Sequence, residues 1–372
     1  MSLTLRTISR EDHLAYIRSL PSASHMQVPA WGDVKAEWRS ESLGWFDASG
    51  RLVGAGLVLY RQLPKLKRYL AYLPEGPVIN WHAPNLEEWL RPMLAHLKQQ
   101  GAFSVKMGPP VVIRRWNAAA IKAGIQNPEV KRLREVEPTV LEPKAFEVAD
   151  QLRRMGWQQG EDGGAGFGDV QPRYVFQIPL RDRTLEEVQK GFNQLWRRNI
   201  KKADKAGVQV VRGGFEDLPA WQRLYEVTAE RDKFRPRPLM YFERMWRVLN
   251  EEEPDRMRLY FAVHENEPVA AATMLIVGGH VWYSYGASAN HKREVRPSNA
   301  MQWQMLQDAH QLGAHVYDLR GIGDSLEDTD HLFGLIQFKV GTGGEAAEYL
   351  GEWDFPLNKL LHKALDMYMS RR

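Results

Sequence analysis

The chain has 372 residues, 44% of them hydrophobic, with 13 each of Trp, Tyr and Phe, enough to fill the cores of two or three ordinary domains. It has no cysteine, which excludes disulfides, thiolate metal sites and a cysteine nucleophile and fits a reducing compartment. A formal charge of +4 and a pI near 9.0 permit a polyanionic partner without requiring one.

Residues 1–20 interleave Arg6, Arg10, Glu11, Asp12, His13 and Arg18 with apolar side chains, so they lack the apolar core of a signal peptide. No run approaches the ~18 apolar residues of a membrane span, and we expect a cytoplasmic protein. The alternating segment from Leu3 to Ile8 reads as a strand, and Ser9-Arg10-Glu11-Asp12 as a capping box opening a helix through Leu20. A second helix is expected to hold Trp31, Lys35 and Trp38. Gly44 to Phe46 and Arg51 to Tyr60 form a hairpin around Asp47-Ala48-Ser49-Gly50, followed by a strand from Arg68 to Leu73. From Asn85 to Gln100, Leu86, Trp89, Leu90, Met93, Leu94 and Leu97 recur at helical spacing. Gly101 stops that helix, and Ala102 to Met107 is a strand.

The second half repeats this plan. Arg258 to Val263, Pro268 to Ile276 and Val281 to Tyr285 are expected strands, then a helix from Ser298 to Leu312, then a strand from His315 to Leu319. Gly101-Ala102 and Gly313-Ala314 lie 313 − 101, or 212, positions apart; Val53-Gly54-Ala55 and Val269-Ala270-Ala271 lie 269 − 53, or 216, apart. Two anchors agreeing this closely indicate a duplicated unit. We place the seam in the glycine-rich run 160–168, giving domains at 1–168 and 169–345, with 346–372 packing back on the first. The class is α+β: two tandem domains, each a mixed, mainly antiparallel sheet flanked by helices. The order of elements is that of GNAT-type acyltransferases, although fold alone does not name a reaction. A CoA-using member needs a Gln/Arg-x-x-Gly-x-Gly/Ala loop at the start of its helix. Neither Leu73-Pro74-Glu75-Gly76-Pro77 nor Arg293-Glu294-Val295-Arg296-Pro297-Ser298-Asn299-Ala300 supplies one, so no cofactor is expected.

Three stretches carry chemistry. In Phe338-Lys339-Val340-Gly341-Thr342-Gly343-Gly344 a cation stands beside glycines whose backbone can approach a substrate closely; the plainer alternative is a strand ending in a glycine turn. After the capping box Thr184-Leu185-Glu186-Glu187, a helix ending at Gly207 sets Arg197, Arg198, Lys201, Lys202 and Lys205 on one arc. Phe192, Trp196, Ile200 and Ala203 fall opposite. That face suits tRNA phosphates, anionic lipid headgroups or plain solvent. Arg237 and Tyr241, at i and i+4, share a face if helical. The eleven histidines show no metal-ligand spacing, so no metal is expected.

Together, Gln27-x3-Trp31-x3-Lys35, the Trp196–Val208 stretch, Thr228-Ala229-Glu230-Arg231-Asp232-x-Phe234, Tyr317-Asp318-Leu319-Arg320-Gly321 and Phe338-Lys339-x-Gly341-x-Gly343-Gly344 resemble the FemABX peptidoglycan-bridge aminoacyltransferases over nearly the whole chain. The resemblance implies two GNAT-like domains. It also implies transfer of an amino acid from aminoacyl-tRNA to an amine on the stem peptide of a peptidoglycan precursor, nucleotide-linked or lipid II, without metal or CoA. A peripheral contact with the inner face of the membrane is compatible with it. Three departures stand out: no heptad run for a coiled-coil arm, Met107-Gly108-Pro109 where many members carry Asp-Pro, and Thr342 where Phe is common between the glycines. On this reading Lys339 stabilises the oxyanion and Phe338 walls the donor pocket. Lys35, Arg237 and Tyr241 hold the acceptor diphosphate, with Tyr285 lining the same cavity. Asp318 and the acidic loop Asp324, Glu327, Asp328 and Asp330 are candidate proton acceptors, and the basic helix binds tRNA. The alternatives are a CoA-dependent N-acyltransferase, a tRNA-dependent transferase acting on a peptidyl secondary metabolite, and an inert RNA-binding module.

Overall fold

The computed structural model describes residues 3–64, 66–160 and 170–363. The chain divides into two compact units. One is built from the residues up to Arg115, Val140–Tyr174 and the chain from Ala347 onward; the other comprises Trp116–Thr139 and Val175–Ala346. This corrects the boundary drawn from the sequence: the Ala118–Gln126 helix and the chain after it to Thr139 belong to the second unit. Beyond Gly160, the expected seam lies outside the described residues.

In the first unit a sheet runs in the order Thr4–Thr7, Arg39–Phe46, Leu52–Gln62, Tyr69–Leu73, Ala102–Met107, Trp353–Pro356 and Gln158–Gln159. Neighbours are antiparallel except Tyr69–Leu73 beside Ala102–Met107. A parallel pair cannot be closed by a tight turn, so the chain crosses over through the Glu87–Gln99 helix. That helix is fixed by its stripe: Leu90, Met93, Leu94 and Leu97 are buried together with Leu43, Trp45, Val105 and Met107. Trp45 Nε1 donates to the Trp89 carbonyl at 2.7 Å, tying helix to sheet.

The second unit repeats the plan with Gln209–Gly213, Met257–His264, Glu267–Val277, His280–Ser288, Val316–Gly321 and Tyr174–Pro179 in spatial order. A parallel pair, His280–Ser288 beside Val316–Gly321, is again joined by a crossover helix, Pro297–Gln311. The α+β class and the duplicated order of elements match the expectation. Pairing between Glu267–Val277 and His280–Ser288 slips at Ala272/Met274, a bulge of the kind that re-aims side chains. Gly286 beside it leaves room for the Tyr283 ring, since a Cβ there would fall 1.6 Å from the Tyr283 hydroxyl oxygen and force that side chain to move.

Two expected helices differ. The second is only Ala30–Val34, with Lys35 as its C-cap and Trp38 beyond it. Ala30, Trp31, Gly32 and Val34 are all buried, so this turn is held by core packing and has no amphipathic face to extend. The expected helix after Thr184 is two, Leu185–Gly191 and Gln194–Lys205. Phe192 is extended, and Asn193 restarts the helix by accepting the Trp196 N–H at 2.8 Å.

His13, in the Arg10–Arg18 helix, is fully buried with Nδ1 2.8 Å from Ser42 Oγ, while its Nε2 has no partner. Burial, then the charge of Arg10, pushes its pKa down to about 4. Because the folded value lies below the unfolded one, the unfolded chain takes up the proton first. Stability is therefore intact above about pH 6.5 and falls by roughly 3 kcal/mol as pH drops to about 4. Denaturant midpoints of the first unit should show this acid limb, and His13→Gln should flatten it; an equally steep limb in the variant would assign it to other groups.

Candidate functional site

The stretch from Gly334 to Gly344 is neither strand nor open loop: Phe333–Val340 is an α-helix, with Lys339 in its last turn. Lys339 is 4% exposed. Its ammonium donates to three backbone carbonyls, Leu319 at 2.7 Å, Arg320 at 3.3 Å and Gly321 at 2.6 Å. An ammonium has three N–H bonds, and all three are spent on the end of the Val316–Gly321 strand. Burial pushes its pKa down to about 7, against the opposing pull of Asp318. The strand end it grips is bent: Arg320 has φ 62°, and its N–H donates to Asp318 Oδ1 at 2.6 Å.

Asp318 is 1% exposed and its other oxygen is also committed, accepting from Gln177 Nε2 at 2.9 Å and lying 3.1 Å from His280 Nε2. Burial pushes its pKa up, but His280, Arg320 and Gln177 outweigh it and hold the carboxyl below the ordinary value. A carboxylate so engaged is a poor proton acceptor and a good strut. The acidic loop is likewise engaged: Asp324 pairs with Arg132 at 3.2 Å, Glu327 with Lys131 at 3.5 Å, and Asp330 accepts the Leu332 N–H at 2.7 Å. Asp328 is exposed.

The glycines after Lys339 serve packing. A Cβ at Gly341 would lie 2.3 Å from Trp196 Cδ1, at Gly343 2.1 Å from the Gly191 carbonyl oxygen, and at Gly344 2.3 Å from the Gln177 carbonyl oxygen. Other parts of the protein, not substrate, take the space their missing side chains leave. The same contacts bring two of the sequence motifs together. Trp196 Nε1 donates to the Phe338 carbonyl at 2.7 Å, the two rings stand 4.7 Å apart, and Asn193 N–H donates to the Gly341 carbonyl at 2.8 Å. Phe338 thus packs against Trp196.

The basic helix is anchored to the Lys339 helix by this seam, while Arg197, Arg198, Lys201, Lys202 and Lys205 are all exposed. Arg197 also donates to the Lys190 and Phe192 carbonyls at 3.2 and 2.5 Å, capping the preceding helix. Among the described residues none of Arg198, Lys201, Lys202 or Lys205 is ion-paired.

Elsewhere in the second unit the structure gathers Arg237, Tyr241 and Tyr285. The Arg237 guanidinium lies 4.6 Å from the Tyr241 ring centroid, with Tyr285 beside it. Beneath them Tyr225 stacks on Trp221 at 4.7 Å, and Phe242 packs 5.1 Å from Tyr285. Burial, then Tyr285, pushes the Tyr225 hydroxyl up to about 12. Gln222 Nε2 donates to the Arg237 carbonyl at 3.1 Å. Trp221, Gln222 and Tyr225 were missed in the sequence, although Trp221 and Tyr225 stand at i and i+4 of the Leu218–Asp232 helix. The Thr228–Asp232 motif is a fastener: Arg231 Nη1 donates to the Ser288 carbonyl and Oγ and to Asn290 Oδ1, and Thr228 Oγ1 bonds both Ser288 backbone groups. Lys35 belongs to the first unit, its Nζ 5.4 Å from the Trp31 ring centroid. Among the described residues no group of three or more His, Asp or Glu is placed to hold a metal ion, and no helix is long and apolar enough to cross a membrane.

A family model described as the FemAB family matches residues 8–262 and 249–369. The chain is 25% identical to a lipid II:glycine glycyltransferase of Staphylococcus epidermidis, covering 98% of this chain and 95% of that protein. It is 23% identical, over the same shares, to one of Staphylococcus aureus. These alignments run to 431 and 436 positions against 372 residues here, so both relatives carry residues that this chain lacks. Among solved structures, a crystal structure of FemX matches with TM-score 0.80 at 21% identity, covering 97% of this chain and 99% of that one. A tandem GNAT protein from the clavulanic acid biosynthesis pathway matches at 0.53 and 10%, covering 96% and 99%. These likenesses establish the fold as two tandem GNAT-like domains.

The geometry separates two roles for Lys339. Lys339→Met leaves three buried carbonyls without a donor, so the second unit should lose about 3 kcal/mol or more of stability along with turnover. Chemical denaturation beside a turnover assay reads this; unchanged stability with turnover lowered by roughly 10² to 10³ would instead mark an oxyanion donor.

Proposed function

The chain belongs to the FemAB family, a family of aminoacyltransferases, and from that premise we propose that it moves an amino acid from aminoacyl-tRNA to an amine on the stem peptide of a peptidoglycan precursor. In this reaction the amine nitrogen attacks the ester carbonyl carbon, a C–N bond forms, the ester C–O bond breaks, and the ribose hydroxyl leaves carrying a proton from the amine. The ester is already activated, so positioning is the main requirement. The terminal adenosine's own hydroxyls carry the proton, because Asp318 is held ionised with both oxygens engaged. Lys339 acts as a positioning residue through the bend at 319–321.

The observation that carries the donor side is the seam between the basic helix and the Lys339 helix. It anchors the basic helix by its apolar face to the helix and loop around Lys339 and leaves the row of cations exposed on the other face. On the acceptor side, Arg237 over Tyr241 offers a guanidinium backed by phenols, suited to a diphosphate. The staphylococcal relatives named for lipid II and glycine support a cell-wall acceptor.

The CoA reading is disfavoured by the helix starts. The crossover helix of the first unit opens with Glu87 and Glu88, which repel a pyrophosphate. That of the second opens with Pro297, which has no N–H to offer, after Arg296 in the left-handed region.

Two measurements test the assignment from its two sides. Arg237→Ala should raise KM for the precursor several-fold or more while changing kcat little, since diphosphate contacts are made equally in ground and transition states; normal precursor binding by this variant would move the groove elsewhere. Lys201→Gln/Lys205→Gln should weaken charged-tRNA binding and flatten its log–log salt dependence by about one unit per charge removed, leaving precursor binding intact. Unchanged affinity and slope would leave this face as plain solvated surface.

A further inference from the structure

The segment joining the Leu218–Asp232 and Leu239–Glu252 helices has a composition that the acceptor site does not use up. Residues 233–242 read Lys-Phe-Arg-Pro-Arg-Pro-Leu-Met-Tyr-Phe: three cations, no acid, five large apolar or aromatic side chains. Lys233 turns the chain with φ 57°, and Pro236 and Pro238 stiffen the backbone leading into the second helix. Tyr241 and Phe242 point inward and are buried. Phe234 and Met240 do not: Phe234 is 38% exposed with its ring against Tyr225, and Met240 is 64% exposed in the first turn of its helix. Lys233 and Arg235 are exposed, and among the described residues neither is ion-paired. The nearest acid before the segment, Asp232, is paired with Arg231 at 2.9 Å.

Exposed apolar tips flanked by unpaired cations, with no carboxylate among them, match an anionic bilayer surface: the cations meet lipid headgroups and the apolar tips enter the interface. The segment also contains Arg237 and runs directly into Tyr241, so whatever it touches lies beside the proposed diphosphate site. We propose that the 233–240 segment docks on anionic membrane and that the acceptor presented at Arg237 and Tyr241 is therefore a lipid-linked diphosphate drawn from that surface. The choice of acceptor rests on the proposed function; the docking does not.

The test uses the full chain and vesicles of one part phosphatidylglycerol to two parts phosphatidylcholine, with pure phosphatidylcholine as background. Wild type should float with the anionic vesicles only. Lys233→Gln/Arg235→Gln/Met240→Gln should lower that partitioning about tenfold or more, while Lys201→Gln/Lys205→Gln should leave it unchanged. Turnover of the triple variant should fall on a lipid-linked precursor in those vesicles and stay at the wild-type level on the soluble nucleotide-linked precursor. No excess flotation of wild type on anionic vesicles would overturn the docking, as would equal flotation of the triple variant or loss confined to the Lys201/Lys205 variant. If wild type floats as expected yet transfers nothing to any precursor, the docking stands and the proposed reaction fails. If the triple variant loses flotation yet turns over vesicle-borne precursor normally, the link between docking and acceptor fails.

Discussion

A buried ammonium holding a strand end is the constraint on which the polar core of the second unit depends. Lys339 is out of water, and its charge is tolerable only because the carbonyls of Leu319, Arg320 and Gly321 surround it. Those carbonyls converge because Arg320 adopts a left-handed conformation, and that conformation is held by Asp318 accepting its N–H. Asp318 is in turn ionised and fixed by Gln177 and His280 from the two strands that flank its own. Removing any one of these groups leaves another buried polar atom unsatisfied, so they act as a unit.

From that unit the packing propagates outward. The helix carrying Lys339 ends in glycines that admit Trp196, Gly191 and Gln177 at distances no side chain would allow. Trp196 then closes the contact through its indole N–H. The cationic helix is therefore placed by an apolar residue on its opposite face, which leaves Arg198, Lys201, Lys202 and Lys205 exposed. The Arg237 cluster is built by different means, an aromatic stack of Trp221, Tyr225 and Phe242 beneath a bulged strand. The Lys339 cluster is organised by polar saturation and the Arg237 cluster by ring packing.

Much of this was legible in the residues. The hairpins announced themselves by alternation and turn residues, and the first crossover helix by its apolar spacing and the Gly101 stop, because these signals are local. Asn193, whose side chain caps the Trp196 N–H, carries a local N-cap signal of its own. The role of Gly341, Gly343 and Gly344 was out of reach, since nothing near them in sequence says that Trp196, Gly191 and Gln177 will occupy their space. The same holds for Lys339: a lysine beside glycines looks like an available cation until the fold shows three carbonyls around it. The fate of Asp318 depended likewise on His280 and Gln177, 38 and 141 positions away. The membership that gathered these motifs was legible because five short stretches matched together. What each residue does inside the match had to wait for geometry.

One measurement reads the proposed transfer directly. Purified protein would be offered tRNAs charged with labelled amino acids, together with nucleotide-linked and lipid-linked precursors, in the absence of CoA thioesters. The account predicts that label from at least one charged tRNA appears in amide linkage on the precursor stem peptide. Absence of transfer from every charged tRNA, with acylation of an amine appearing once a CoA thioester is added, would contradict it.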